Sequence, residues 1–312
     1  MRRRTNNFKV AAAALALTVF VSFGAVSTSA ANLSVNSVGS ASVSIDAVGR
    51  EHKSLKGLTN KNLSAYARSR VSVGGVNLSV QGFNFGGVSY IPFRAAASAI
   101  SGSTYSYNSG AGSSSMRAPG LEITASNGCY VSYANGRALF STTPTVIMND
   151  GRMYIPATVF AKAVGMTLDV GGSSVTLSGS YKPLTPADKF YREDEVFWLA
   201  RIIHAESKGE SLLGQIAVGN VVLNRVKSAY YPNTIYGVIF DRKYGVQFSP
   251  ILDGSIYNTP GYNPTLAAKI CLEGYDVSDG AFFFLNTRFA TSSWIPRTRE
   301  YAFTIGNHDF YK

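Results

Sequence analysis

The chain has 312 residues, 46% hydrophobic and 15% charged, with a formal net charge of +11 and two cysteines. That length holds two or more domains, and two thiols exclude both a disulfide framework and a thiolate metal cluster. The Lys and Arg lie scattered among Ser, Gly and Tyr without a reader motif, which argues against nucleic acid as a partner.

MRRRTNNFKV is basic, AAAALALTVFVSFGAV is apolar, and STSAA places small residues at Thr28 and Ala30 or at Ser29 and Ala31. This order reads as a secretory signal over residues 1–31. A membrane anchor is the weaker reading, because Thr18, Ser22 and Gly24 interrupt the apolar run. No later run is long enough to span a bilayer, so the mature chain is expected outside the cytoplasmic membrane. Residues 32–70, rich in Ser, Asn, Val and Lys, read as a loosely ordered lead-in.

Short β-type runs broken by Gly and Asn fill residues 71–180. There is an internal echo at an offset of 64: GGVSYIPFRAAASAI aligns with DGRMYIPATVFAKAV, setting Tyr90, Ile91 and Pro92 against Tyr154, Ile155 and Pro156. Each copy predicts a turn, a strand ending at Pro, a helix and another strand, and two copies make one compact α+β module. The module resembles the copper amine oxidase N-terminal-like domain, whose Gly-Arg-x-Tyr-x-Pro turn is matched by Gly151, Arg152, Tyr154 and Pro156. The first copy has Val88 where the Arg would fall. The resemblance implies an attached targeting or scaffold unit and no copper.

Residues 181–190, with Pro183 and Pro186, read as a linker. Residues 32–185 hold 12 Lys/Arg against 5 Asp/Glu, whereas residues 186–312 hold 13 of each. A basic extracellular module beside a neutral one suggests adhesion to an acidic wall polymer or a membrane surface, against the plain alternative of solubilising charge. Cys129 and Cys271 are expected to be two separate buried thiols.

Residues 191–312 form the remaining domain. REDEVFWLARIIHAES has acids early and apolar residues at helical spacing, and SLLGQIAVGNVVLNRVKSA is apolar on most of its circumference, the mark of a central buried helix. On that second helix Asn220 and Asn224 lie one turn apart and are expected to pin a neighbouring loop. Glu206 falls at the end of the first helix, where packing beneath the carboxyl raises its pKa and a groove above it gives a general acid access. Glu210 follows a Gly break and is expected to complement the next helix N-terminus. The aromatic, loop-rich remainder reads as cleft walls, with Gln247, Phe248, Ser249, Tyr262, Phe284, Asn286 and Trp294 as candidate sugar contacts. His308 leans towards a structural role, and Trp294 either stacks on sugar or closes the core.

Seven ordered motifs follow one another here: A-R-x-I-x-x-E-S-x-G-E, G-Q-x-A-V-G-x-V-x-L-N-R-V, Y-P-x-T-x-x-G-V-I, Q-F-S-P, D-G-S-I, A-F-x-F-x-N and I-G-x-H-x-F. Over about residues 195–312 the chain resembles the cell-wall hydrolase family typified by the SleB-type spore cortex-lytic enzymes. The resemblance implies a mostly helical, lysozyme-like domain with a small antiparallel sheet that cleaves peptidoglycan between N-acetylmuramic acid and N-acetylglucosamine, with Glu206 catalytic. It implies no cofactor, and a place in the cell wall or spore envelope. The whole chain is then α+β.

Glycoside hydrolysis uses two carboxyl groups, about 5–5.5 Å or about 6.5–9.5 Å apart. Glu210, Asp241 and Asp253 are weaker candidates for the second. Without one, a lytic transglycosylase route giving 1,6-anhydromuramyl ends is preferred to hydrolysis. Two rivals are weaker still. His204-Ala205-Glu206 has the H-x-E spacing of zinc deaminases but lacks the accompanying P-C-x-x-C, and a non-catalytic wall-binding protein leaves Glu206 unexplained.

Overall fold

The computed structural model describes residues 55–312 except 244, 287, 291 and 292. The signal segment 1–31 and residues 32–54 of the lead-in lie outside the described residues. The architecture is α+β, a β-rich module followed by a mostly helical domain with one small sheet.

The module runs β1 (Arg68–Val73), β2 (Val76–Asn77), β3 (Gly82–Phe85), β4 (Val88–Pro92), α1 (Phe93–Ser98), β5 (Thr104–Asn108), β6 (Ser113–Ala118), β7 (Leu121–Ser126), β8 (Val131–Ala134), β9 (Arg137–Phe140), β10 (Val146–Ile147), β11 (Met153–Pro156), α2 (Ala157–Val164), β12 (Thr167–Gly171) and β13 (Ser174–Ser178). The sequence echo becomes a symmetric pairing. Strands β4 and β11 lie antiparallel with Pro92 opposite Tyr154, Ile91 opposite Ile155 and Tyr90 opposite Pro156. Each strand ends at a proline that opens a helix, since Pro needs no backbone donor in the first turn. These strands sit in a sheet ordered β10-β11-β4-β3-β1-β13-β12, and β5 to β9 form a separate five-stranded meander.

Part of the expected loose lead-in is ordered. Leu58 and Leu63 are buried with Phe83, Tyr90 and Tyr154, and β1 begins within the segment at Arg68. Leu58, Leu63 and Tyr66 carry enough apolar surface to close the open edge of that aromatic cluster, which outweighs the polar residues between them, and Leu55 packs against the core of the second domain. The linker is tied down as well: Lys182 and Leu184 donate to Val164 and Ala163, and Ala187 donates to Asn135.

The second domain runs α3 (Ala187–Phe190), α4 (Glu193–Ser207), α5 (Leu212–Lys227), α6 (Ile235–Ile239), α7 (Tyr262–Leu272), β14 (Phe283–Asn286), α8 (Trp294–Thr298), β15 (Tyr301–Ile305) and β16 (His308–Tyr311). Helix α5 is buried along most of its length between α4 and α7. Gly219 sets the spacing, because a Cβ there would stand 2.7 Å from the Cys271 sulfur and 2.8 Å from Ile203. The sheet is β14-β16-β15, entirely antiparallel. Among the described residues no helix is long and apolar enough to cross a membrane.

The two domains share a buried seam. Val131 and Ala138 of the module join the same core as α4, α5 and α7. Glu273, just past α7 and with a side chain only 3% exposed, receives both arms of Arg137 at 2.8 Å, Lys162 at 2.8 Å and the Tyr191 hydroxyl at 2.7 Å. Two of the module's cations are therefore committed to its own partner domain. Both cysteines, Cys129 in the module and Cys271 on α7, are buried.

Candidate active site

Three acids at Glu193, Asp194 and Glu195 open α4 and favour its N-terminus. At the other end the Ser207 hydroxyl donates to Ile203 at 2.8 Å, and the Glu210 N–H donates to Ser207, so the chain turns through Gly209 into α5, capped by Ser211. Glu206 is thereby held on the last turn, half-buried. Its pKa is pushed up to about 7, first by burial and then by the negative charge of Asp253, while the Arg225 guanidinium pulls the other way. A carboxyl so poised keeps a substantial protonated fraction at near-neutral pH and becomes a competent base once its proton is gone.

Asp253 lies on the exposed loop after Pro250 and accepts from the Ser255 N–H at 2.8 Å. Of the three weaker carboxylates it is the one whose charge bears on Glu206. Asp241 accepts from Lys243 N–H at 2.9 Å and acts on Arg225 instead.

Glu210 does not serve the helix N-terminus, where Ser211 accepts from Gly214. Its carboxyl takes both the backbone and the side-chain N–H of Asn307, at 3.1 and 2.9 Å, and lies 3.6 Å from His308 Nδ1. It clamps the β15–β16 turn to the start of α5. His308 is buried against Phe284, and burial lowers its pKa despite Glu210 and Asp309, so the neutral ring is the favoured form.

Asn220 and Asn224 hold the chain before β14, as their spacing suggested. Asn220 donates to Tyr275 O and accepts from Val277 N–H, and Asn224 donates to Ser278 and to Ala281 O. Arg225 continues the row by donating to Phe282 O at 2.8 Å. Arg225 is not among the residues expected to serve the site, although an arginine on an otherwise apolar buried helix is itself a signal.

The candidate sugar contacts are not gathered equally. Phe248 is 3% exposed and packs beside Phe284 and under Arg225, so it belongs to the floor and is corrected from a direct contact to a core residue. Phe284 and Asn286 are half-buried on β14, where Asn286 accepts from the Arg288 N–H. Gln247 is half-buried and donates to Gly245 O, and Ser249 is exposed beside it. Trp294 is 51% exposed against Phe283 and Arg299 and does not close the core. Tyr262 is exposed at the domain seam, its hydroxyl 3.0 Å from that of Tyr133 in the module. Residues 282–284 have three different sets of partners: Phe282 stacks on Tyr231, Phe283 meets Trp294 edge-on, and Phe284 lies tilted to Phe248 and edge-on to His308. His204 accepts from the Gly261 N–H at 3.5 Å, and among the described residues no three His, Cys, Asp or Glu side chains converge as metal ligands.

Comparison with known proteins matches residues 209–311 to the Cell Wall Hydrolase family and residues 72–178 to the Copper amine oxidase N-terminal domain. Glu206 lies just before the first of these spans. The chain is 36% identical to a spore cortex-lytic enzyme of Bacillus cereus over 167 residues, 52% of this chain and 63% of that protein. It is 34% identical to the spore cortex-lytic enzyme of Bacillus subtilis over 123 residues, 38% of each. The chain thus spans less than two thirds of these curated relatives. Among solved structures, the catalytic domain of the germination-specific lytic transglycosylase SleB from Bacillus anthracis is 39% identical, covers 41% of this chain and 100% of its own, and superposes with a TM-score of 0.37.

Proposed function

We propose that this chain, whose residues 209–311 form a cell wall hydrolase domain and residues 72–178 a copper amine oxidase N-terminal-like domain, cleaves peptidoglycan at the bond from N-acetylmuramic acid to N-acetylglucosamine. The observation that carries this reading is the half-buried Glu206 carboxyl, its pKa pushed up to about 7 by burial, on the last turn of α4. Glu206 gives its proton to the glycosidic oxygen as the bond to the muramyl C1 breaks. The muramyl C6 hydroxyl oxygen then bonds to C1, and its proton passes to the Glu206 carboxylate. One side chain is acid and then base, the product is a 1,6-anhydromuramyl end, and no external water is consumed. The names of the relatives support this route and an action on spore cortex, and the resemblance supports a lysozyme-like placement of the acid.

A second reading has its own support. Asp253 is close enough to act on the Glu206 charge, and a carboxylate so placed could hold a water for hydrolysis of the same bond. Mass spectrometry of digested peptidoglycan separates the two: the anhydro ring supports transglycosylation, and its replacement by added water supports the hydrolase.

The signal-like N-terminus supports export, and we assign the module to adhesion on acidic wall polymer. Bulk charge supports this less than one locus does. Arg117, Arg137, Arg152 and Lys162 each face a carboxylate, whereas Arg94, like Arg68 and Arg70, faces none among the described residues. Arg94 lies over the Tyr105 ring in a groove of about 610 Å³ that also takes in Tyr107 and Arg152.

A further inference from the structure

We propose that Arg225 is the positioning residue for the Glu206 proton cycle, a buried cation whose unspent N–H receives the Glu206 carboxylate after its proton has left. The inference rests on the reading of Glu206 as the acid. Arg225 is 5% exposed, and its Nη1 is buried with no hydrogen-bond partner among the described residues. Its Nε is fixed to Phe282 O at 2.8 Å, and the guanidinium lies over the rings of Tyr231, Phe248 and Phe283 at 5.2, 5.2 and 5.4 Å. One arm is thus anchored and the plane is held, while one donor is left over.

A buried guanidinium with an unspent N–H is costly, so the arrangement needs a use for it. The groups that act on Arg225 are Tyr231, Asp241 and Glu206. Asp241 already caps its own turn through Lys243, and Tyr231 lies beneath the guanidinium plane. Glu206 in turn feels Asp253 and Arg225 from other elements, with His204 and Lys208 flanking it on its own helix. In the resting state the neutral carboxyl needs no counter-charge. Once the proton has gone to the bridging oxygen, a carboxylate stands beside Asp253, and the Arg225 cation is what offsets that repulsion. Arg225 keeps all its protons throughout, and the proton that returns to Glu206 comes from the sugar C6 hydroxyl.

The test measures the rate of sacculus digestion against pH for the full chain and for Arg225→Met, Arg225→Lys and Glu206→Gln. Removing the cation should lower kcat on the order of 10²-fold with little change in KM. It should also move the basic limb, which reports loss of the Glu206 proton, to higher pH, because the guanidinium lowers that pKa. Arg225→Lys should return the limb but only part of the rate, since an ammonium lacks the forked anchor to Phe282. Should Arg225→Met fail to fold by circular dichroism, Arg225→Gln carries the same pH test. Should neither fold, full activity in Arg225→Lys overturns the proposal and a depressed rate with an unmoved limb supports it. A folded, uncharged variant with an unmoved limb overturns it while an inert Glu206→Gln leaves the acid in place. Turnover in Glu206→Gln instead overturns the reading on which the proposal rests.

Discussion

Glu210 and Gly306 are in such close contact that a Cβ on the glycine would lie 2.0 Å from Glu210 Oε2. The glycine also has a φ of +60°, in the left-handed region. Both facts come from one arrangement: the turn between β15 and β16 presses on the carboxyl that follows the Glu206 helix, and that carboxyl holds the turn through Asn307.

Gly306→Ala should therefore cost about 2 kcal/mol or more, from positive φ alone before the clash is counted. Denaturant unfolding checks this, and a midpoint equal to that of the parent would mean that the turn is free to relax. Glu210→Ala should leave Asn307 unclamped and reduce turnover through the sheet, with no change in the pH of the basic limb.

The seam around Glu273 gives a second expectation. Burial alone would raise that carboxyl's pKa, but hydrogen bonds from Arg137, Lys162 and Tyr191 outweigh it and the net shift is downward. A depressed folded pKa stabilises above the unfolded value near 4.5 and is lost as pH falls through the lower folded value. The seam should hold at neutral pH and open only in acid. Arg137→Ala leaves Glu273 buried with two of its three partners, Lys162 and Tyr191, and should cost about 3–5 kcal/mol. Calorimetry should then show two unfolding transitions in place of one coupled transition.

Glu206 has the opposite sign. Its folded pKa is raised from 4.5 to about 7, so the folded state holds the extra proton and its stability falls as pH rises between those values, levelling above. Glu206→Gln removes that loss. The variant should unfold at about the parent's temperature near pH 4.5 and later than the parent at pH 8. Equal curves at both pH values would place the carboxyl in water.

Wall adhesion is tested without turnover by using the inert Glu206→Gln chain. Adding Arg94→Glu or Tyr107→Ala should weaken its sedimentation with purified sacculi, more so at low salt for the charge reversal. Unchanged sedimentation would remove the groove on the module as the attachment site.

Legibility in the sequence followed the kind of force involved. The strand-Pro-helix echo was readable because proline and helical periodicity act locally, and the β4–β11 pairing realises it. Asn220 and Asn224 were readable because amides on an apolar helix demand partners. The roles of Glu210 and Phe248 were not, since the partners Asn307 and Phe284 are far along the chain and only tertiary packing unites them. Arg225 stood in a quoted motif, yet its significance comes from an unspent donor and a neighbouring carboxyl, which no spacing reveals. The seam was hidden for the same reason: Arg137, Lys162 and Glu273 belong to different domains, and their charges looked like solvent-facing surplus.

The central claim is that Glu206 delivers the proton that breaks the glycan strand. Turbidity loss of purified peptidoglycan sacculi, followed with the parent chain and with Glu206→Gln at matched concentration and confirmed folding, tests it most directly. The parent should clear the suspension and the variant should not clear it above background. Clearing by a folded Glu206→Gln chain at a comparable rate would contradict the claim.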